Sequence, residues 1–192
     1  MIPALLFLLA QVATSPTFEG AVERLRAKTP VDAVRGASIE QLAGRYTSTS
    51  EELGKYVGPF KGGDDLYLFP DGTFVYCEWT DVSPLTVYDK GTWRIAEGLV
   101  ELKSDPKVTW DPEIERRYAA IRRSSGNKEI LLIGVARDLV RFEKDAGKDA
   151  GFMLLVIAKK RETTFSKEAA GRVKARLLKE AWRPEYFQEK AK

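Results

Sequence analysis

The chain contains no histidine and only one cysteine, Cys77, among its 192 residues. Histidine is the commonest general base and metal ligand, so its absence excludes Ser-His-Asp triads, Cys-His dyads and histidine-containing zinc sites. A single cysteine cannot form an intramolecular disulfide, so the hydrophobic core must stabilise the fold unaided. We interpret Cys77 as a small buried residue on a strand rather than as a reactive thiol.

The sequence also lacks a strong charge of either sign. Its 31 Lys and Arg residues are almost balanced by 28 Asp and Glu residues, which gives a net charge of +3. A chain so balanced is not a bulk electrostatic binder of nucleic acid. With 44% hydrophobic and 31% charged residues, it has the composition of a globular domain. No motif in the sequence predicts a metal ion or a cofactor.

Charge is absent from the first residues as well. The apolar run from Ile2 to Ala10 is too short to cross a hydrocarbon layer of about 30 Å. A short apolar run followed by small residues is typical of a cleavable export signal. We therefore expect a signal peptide over residues 1–15 and a single domain over 16–192, in the periplasm or secreted. The alternative is a buried N-terminal helix.

Three segments carry the pattern of helices. Residues 17–28 place Phe18, Val22 and Leu25 on one apolar face. Ser38 and Gln41 can form a capping box around one short helical turn. A longer helix is predicted from the cap residue Ser166 to about Trp182, with an apolar stripe on one side.

Strand patterns fill most of the rest of the chain. The predicted strands are 45–49, 66–69, 73–80, 86–95, 99–103, 117–123, 129–135, Leu139–Glu143 and 152–160. Pro70-Asp71-Gly72 and Ala96-Glu97-Gly98 are predicted hairpin connections. Closely spaced strands without long helices between them predict a mainly β, antiparallel fold. Because several strands are apolar on both faces, we expect a barrel covered partly by flanking helices.

Two stretches resemble a known group of proteins. The run Ile39–Tyr46 looks like the entry to calycin barrels, where a helical turn leads into a first strand bearing Gly-x-Trp, and Tyr46 stands in place of the Trp. The segments Leu66–Phe74 and Lys90–Trp93 resemble the hairpins of bacterial lipocalin-like domains. This resemblance covers about residues 39–103 and implies an up-and-down, lipocalin-like β-barrel with an apolar cavity. It implies no particular ligand.

Aromatic residues are concentrated in the first half of the predicted sheet. Tyr46, Tyr76, Trp79 and Trp93 are candidates for lining a ligand cavity. The alternative is an ordinary β core, because aromatic residues favour strands in any case. Our leading hypothesis is an exported, non-enzymatic protein that binds a small apolar or amphipathic ligand in the barrel.

Two further hypotheses remain open. A carboxylate-dependent hydrolase would need Glu78 and either Asp89 or Asp81 in one cleft, about 5 to 9 Å apart. An envelope-associated interaction module would use the basic C-terminal helix against a membrane surface or an acidic partner. A solvated helix face is the commoner explanation for that basic pattern.

Overall fold

The computed structural model describes residues 18–49, 62–107, 117–125, 128–145 and 158–183. The predicted signal segment 1–15 and the predicted strand residues 152–157 lie outside the described residues. The helices are α1 (Phe18–Arg26), α2 (Ile39–Leu42), α3 (Ala136–Asp145) and α4 (Lys167–Glu180). The strands are β1 (Val31–Ala33), β2 (Gly44–Thr49), β3 (Gly62–Leu68), β4 (Thr73–Thr80), β5 (Thr86–Ala96), β6 (Leu99–Ser104), β7 (Arg117–Ser125), β8 (Lys128–Val135) and β9 (Ala158–Thr164).

Strands β2 to β9 form a closed antiparallel barrel of eight strands. Each pairs with the next along the chain, and β9 pairs back with β2 to close the cylinder. The short strand β1 adds to β7 beyond the end of β6. The predicted mainly β, antiparallel up-and-down barrel with N-terminal and C-terminal flanking helices is therefore confirmed.

The two predicted hairpin connections are confirmed as well. Gly72 and Gly98 both adopt φ of 76°, in the left-handed region that glycine enters without steric cost. The Asp71 carboxylate accepts hydrogen bonds from the backbone amide and hydroxyl of Thr73, at 3.0 and 2.5 Å. These local interactions fix the register of β3 against β4 and of β5 against β6.

Helix α2 closes one end of the barrel, which we call the base. The capping box predicted from the sequence is present, because Gln41 N donates to Ser38 Oγ and Ser38 N donates to Gln41 Oε1. Leu42 and Ala43 are buried in the same cluster as the residues inside the barrel. The base is therefore filled by the chain itself.

The outer face of the barrel is covered in two places. Helices α1 and α3 pack over β7, β8 and β9, with Leu25 and Leu139 fully buried there. Helix α4 lies over β3, β4 and β5, where Leu177 joins the stacked rings of Tyr67, Phe69 and Phe165. No helix within the described residues is long and apolar enough to span a membrane.

One predicted strand is wrong, because Leu139–Glu143 lies within helix α3. Leu139 and Val140 follow Ala136 at the three- and four-residue spacings of a helix face. Helix α3 turns back onto the strand it follows, and the Leu139 side chain packs against Gly134. Leu139, one of the apolar residues that suggested a strand, instead covers the outside of the barrel.

Candidate functional site

The interior of the barrel changes in polarity along its axis. In the half near the base, the side chains are apolar or aromatic and at most 6% exposed: Tyr46, Leu66, Leu68, Phe74, Trp93, Val100, Leu102, Tyr118, Ala120 and Ile133. Packing this close leaves the base half filled by the protein's own side chains. A ligand inside the barrel would therefore have to bind in the other half.

The other half carries polar side chains on the same inward face. Asp64 lies two residues before Leu66 on β3, and Glu78 is its cross-strand partner on β4. Lys159 is paired with the inward-facing Ile133. We call this set the polar cluster, and its members are Ser48, Asp64, Tyr76, Glu78, Asp89, Ser104 and Lys159. Water reaches the cluster, because Glu78 is exposed and Asp64 is only partly buried.

An ion pair lies at the centre of the polar cluster. The Lys159 ammonium contacts the Asp64 carboxylate, with 13% and 23% of the two side chains exposed. Ser48 donates from its hydroxyl to Asp64 and accepts from Lys159 Nζ at 3.3 Å. Three neighbouring strands, β9, β2 and β3, thus contribute one group each. Bringing charges into a barrel costs desolvation free energy, so the fold alone does not account for them.

Tyr76 links this ion pair to the second carboxylate. Its hydroxyl donates to Glu78 Oε1 at 3.2 Å, and the Lys159 ammonium lies 5.8 Å from the centre of its ring. Burial raises the pKa of the Tyr76 phenol far above its ordinary value, and the nearby charges of Asp64 and Glu78 raise it further. Tyr76 is therefore a neutral hydrogen-bond donor between two carboxylates.

Asp89 completes the cluster from β5. It is fully buried, and it accepts hydrogen bonds from Ser104 Oγ at 2.6 Å and from the Lys90 amide at 2.8 Å. A bulge places it there, because the register shifts so that Tyr76 pairs with Asp89 while Cys77 pairs with Val87. Val87 consequently faces outward and Asp89 inward, although the two are separated by a single residue. Bulges commonly redirect a side chain in this way.

Two of the four predicted aromatic residues lie deep in the base half. The Tyr46 hydroxyl donates to the carbonyl of Leu42 at 2.6 Å, and the Trp93 indole donates to the carbonyl of Phe69 at 2.9 Å. Burial raises the pKa of the Tyr46 phenol, and the nearby Arg161 opposes that rise. The hydroxyl of Tyr46 and the indole nitrogen of Trp93 are thus hydrogen-bonded to backbone carbonyls, and both side chains are part of the packed base.

The other two predicted aromatics lie on opposite faces of β4. Tyr76 faces inward and belongs to the polar cluster, whereas Trp79 shares the outward face with Val75 and Cys77. The Trp79 indole nitrogen is buried and has no hydrogen-bond partner among the described residues. The structure therefore does not bring Trp79 together with Tyr46, Tyr76 and Trp93.

Sequence reasoning missed Ser48, Lys159 and Ser104, and it began the predicted strand at residue 66, which left Asp64 outside that strand. The alternation in β3 carried a signal for Asp64, because it shares parity with Leu66 and Leu68. Nothing local could have placed Lys159 beside it, since the two are 95 positions apart in the chain.

The carboxylates of the hydrolase hypothesis are partly brought together. Glu78 and Asp89 both face the barrel interior on neighbouring strands, whereas Asp81 is exposed on the connection between them. However, Asp89 accepts from Ser104 and Lys90, and Glu78 accepts from Tyr76. No group of three or more His, Cys, Asp or Glu residues within the described parts of the chain is arranged to hold a metal ion. The arrangement is suited to binding polar groups by hydrogen bonds.

Cavities are also present on the outside of the barrel. A groove of about 510 Å³ runs between α4 and strands β4 to β6, with Val75 and Leu178 beside Lys90, Lys103 and Lys174. At the base, a polar crevice of about 320 Å³ includes Gln41 and Arg161, whose guanidinium donates to the Gln41 carbonyl at 2.7 Å. The groove is an alternative place for a ligand, so a binding experiment has to separate it from the barrel interior.

Comparison of the chain with protein-family models, curated proteins and solved structures finds no match.

Proposed function

We propose that this is an exported, lipocalin-like, non-enzymatic protein that binds a small amphipathic molecule in the polar half of its barrel. The observation that carries the proposal is the polarity change inside the barrel. A polar cluster with a partly buried ion pair adjoins an apolar, filled base. Binding sites commonly combine an apolar wall with a few convergent polar groups, and this half of the barrel has that composition.

The barrel architecture supports the lipocalin-like part of the proposal. Eight antiparallel strands in simple chain order close on themselves, and a capped helical turn precedes the first of them. Gly44 and Tyr46 stand at the start of β2, where the resemblance placed Gly-x-Trp. Arg161 on β9 lies opposite Tyr46 and bonds to the carbonyl of Gln41. The entry segment thus connects β9, the last strand of the barrel, to β2, its first strand.

The hydrogen-bonding groups define the polar part of the ligand. Tyr76 and Lys159 supply donors, Asp64 and Glu78 supply acceptors, and Ser48 supplies both. A ligand with hydroxyl or amide groups at one end would satisfy both kinds of partner. Its apolar part would lie against the Tyr76 ring and against the side of the filled base that borders the polar cluster.

Dye binding to two matched tryptophan variants tests this proposal. The probe is phenylnaphthylamine, an apolar amine whose fluorescence rises in a water-poor site. Glu78→Trp puts a large ring at the exposed inward position of β4, and Thr92→Trp puts the same ring on the exposed outer face of β5. We expect Glu78→Trp to reduce dye affinity by at least about tenfold and Thr92→Trp to leave it unchanged.

Other outcomes of the dye experiment would count against the barrel site. Thr92 lines the outer groove, so loss of binding in Thr92→Trp alone would move the site there. No saturable binding by folded wild-type protein would overturn the proposal altogether. Native mass spectrometry of the protein as purified from its exporting host supplies an independent readout, in which a bound small molecule should be retained by wild type and lost from Glu78→Trp.

A further inference from the structure

Two large hydrophobic side chains are exposed within the described residues, and both belong to one corner of the molecule. Val82 is 83% exposed on the connection between β4 and β5, and Trp182 is 55% exposed just after α4. The backbone joins the two segments, because Trp182 N donates to Leu85 O and Val87 N donates to Trp182 O, each at 3.0 Å. We call this corner, formed by residues 81–85 and 181–183, the apolar tip.

The apolar tip is anchored to the rest of the fold by packing and by backbone hydrogen bonds. Leu85 and Ala181 pack against the cluster beneath α4, and Ala181 N donates to Leu177 O at 3.1 Å to end the helix. A folded protein gains nothing by holding a tryptophan ring in water, because exposure of that ring forgoes a large hydrophobic free energy. A solvent-facing Trp in the same corner of the molecule as an exposed Val is therefore a feature that a partner surface would explain.

The surroundings of the apolar tip are basic. From residue 171 to residue 183 the chain carries five Lys or Arg residues and one acid, Glu180. Arg172, Arg176 and Lys179 are exposed. The ion pair between Arg176 and Glu180 is long, at 3.8 Å. Within the apolar tip itself, Asp81 is an acidic residue, and it is exposed on the turn. Positive charge thus prevails on the helix face that leads to Trp182.

We infer that the apolar tip and the exposed basic face of α4 dock on an anionic lipid surface. Tryptophan is favoured at membrane interfaces because its ring is apolar and its N–H is polar. Lys and Arg beside it are attracted by the negative potential of an anionic surface. An acidic protein would match the charge, but the exposed Val82 and Trp182 protrude singly and fit a deformable lipid interface better than a preformed pocket.

Docking in this way determines which end of the barrel lies near the lipid. The connection carrying Val82 joins the ends of β4 and β5 nearest Glu78, so the apolar tip lies at the same end as the polar cluster. The polar end of the barrel, rather than the base, then lies near the lipid at the tip. Exchange of a ligand between the lipid and the barrel rests on the proposed function, whereas docking itself does not.

Vesicle sedimentation with the folded protein tests docking. We expect binding to vesicles that contain phosphatidylglycerol, little binding to phosphatidylcholine alone, and loss of binding as salt is added. Lys179→Glu should weaken binding about tenfold or more, because it reverses a charge beside the tip. Arg35→Glu makes the same charge change near β1, far from the apolar tip, and should leave binding within about twofold.

The aromatic contribution is tested separately. Trp182→Ser should weaken vesicle binding several-fold, and Trp182→Phe should retain most of it while abolishing the blue shift of tryptophan emission that accompanies binding. Equal loss in Lys179→Glu and Arg35→Glu, equal binding to neutral and anionic vesicles, or no binding at all would each overturn the inference. Dye binding by the same variants should be normal, so failure of docking is distinguishable from failure of the barrel site.

Discussion

Lys159 and Asp64 form an ion pair inside the barrel, across two strands that are not sheet neighbours. Strand β2 lies between β9 and β3, and its Ser48 contacts both charged side chains. The pair is partly reached by water, with side-chain exposures of 13% and 23%. Its contribution to the unfolding free energy should therefore lie between those of exposed and fully buried pairs.

Removing one partner of this ion pair should cost more than removing both. Lys159→Met leaves Asp64 charged inside the barrel and should lower the free energy of unfolding by about 2 kcal/mol. The double variant Lys159→Met with Asp64→Asn should recover about half of that loss, since no lone charge remains. Urea unfolding of the two single variants and the double variant measures the coupling. Additive losses would show that the two side chains do not interact.

Two glycines should respond in opposite directions to alanine. A Cβ at Gly44 would lie 2.5 Å from the Thr163 carbonyl oxygen and 2.8 Å from Arg161 Cδ. Gly44→Ala should therefore force β2 and β9 apart and destabilise the protein by about 1–3 kcal/mol. A Cβ at Gly171 meets nothing within 4 Å on exposed helix α4. Gly171→Ala should stabilise the protein by about 0.5–1 kcal/mol. Thermal unfolding of both variants checks the difference in sign.

Cys77 should be unreactive in the folded protein. The residue is fully buried, and burial together with the nearby charge of Asp65 raises the pKa of its thiol. Because the thiolate is the reactive form, labelling by a disulfide reagent should require unfolding. Its rate should rise with urea in parallel with the unfolded fraction. The matched control is Val82→Cys in a Cys77→Ala background, which should label at once because position 82 is exposed.

The pH dependence of stability should include a contribution from Asp71. Burial of this carboxyl opposes ionisation, but hydrogen bonds from Thr73 and from Lys174 outweigh it and hold the pKa below its ordinary value of 3.8. A depressed folded pKa adds stability above the unfolded pKa, and this stability is lost as pH falls through the folded pKa.

Asp71→Asn measures that contribution directly. Near neutral pH the variant should be less stable than wild type by less than about 1 kcal/mol, because the side chain is 56% exposed. The difference should shrink towards zero in acid, as wild-type Asp71 becomes protonated. Urea unfolding of both proteins across the acid range tests the trend. A difference that grows in acid would contradict the assigned direction.

The sequence predicted the local features of the fold well, because short-range chemistry determines them. The capping box of Ser38 and Gln41, the hairpin at Asp71 and the cap at Ser166 each involve residues close together in the chain. Alternation along β4 places Tyr76 and Trp79 on opposite faces, although the sequence made both of them candidates for one cavity. The failure at Leu139–Glu143 arose because a short apolar segment has the composition of either a strand or a helix.

The candidate site, by contrast, was decided by tertiary structure. Asp64 and Lys159 meet only because β9 pairs with β2 and closes the barrel, a contact that no local pattern encodes. Asp89 faces inward because of a bulge that shifts the register after Tyr76. The sequence by itself determined an antiparallel meander of strands, capped helices and strands rich in aromatic residues. Barrel closure and the bulges between β2 and β9 and between β4 and β5 then decided which polar side chains share the interior, since strand parity fixes faces only within an unbroken pairing.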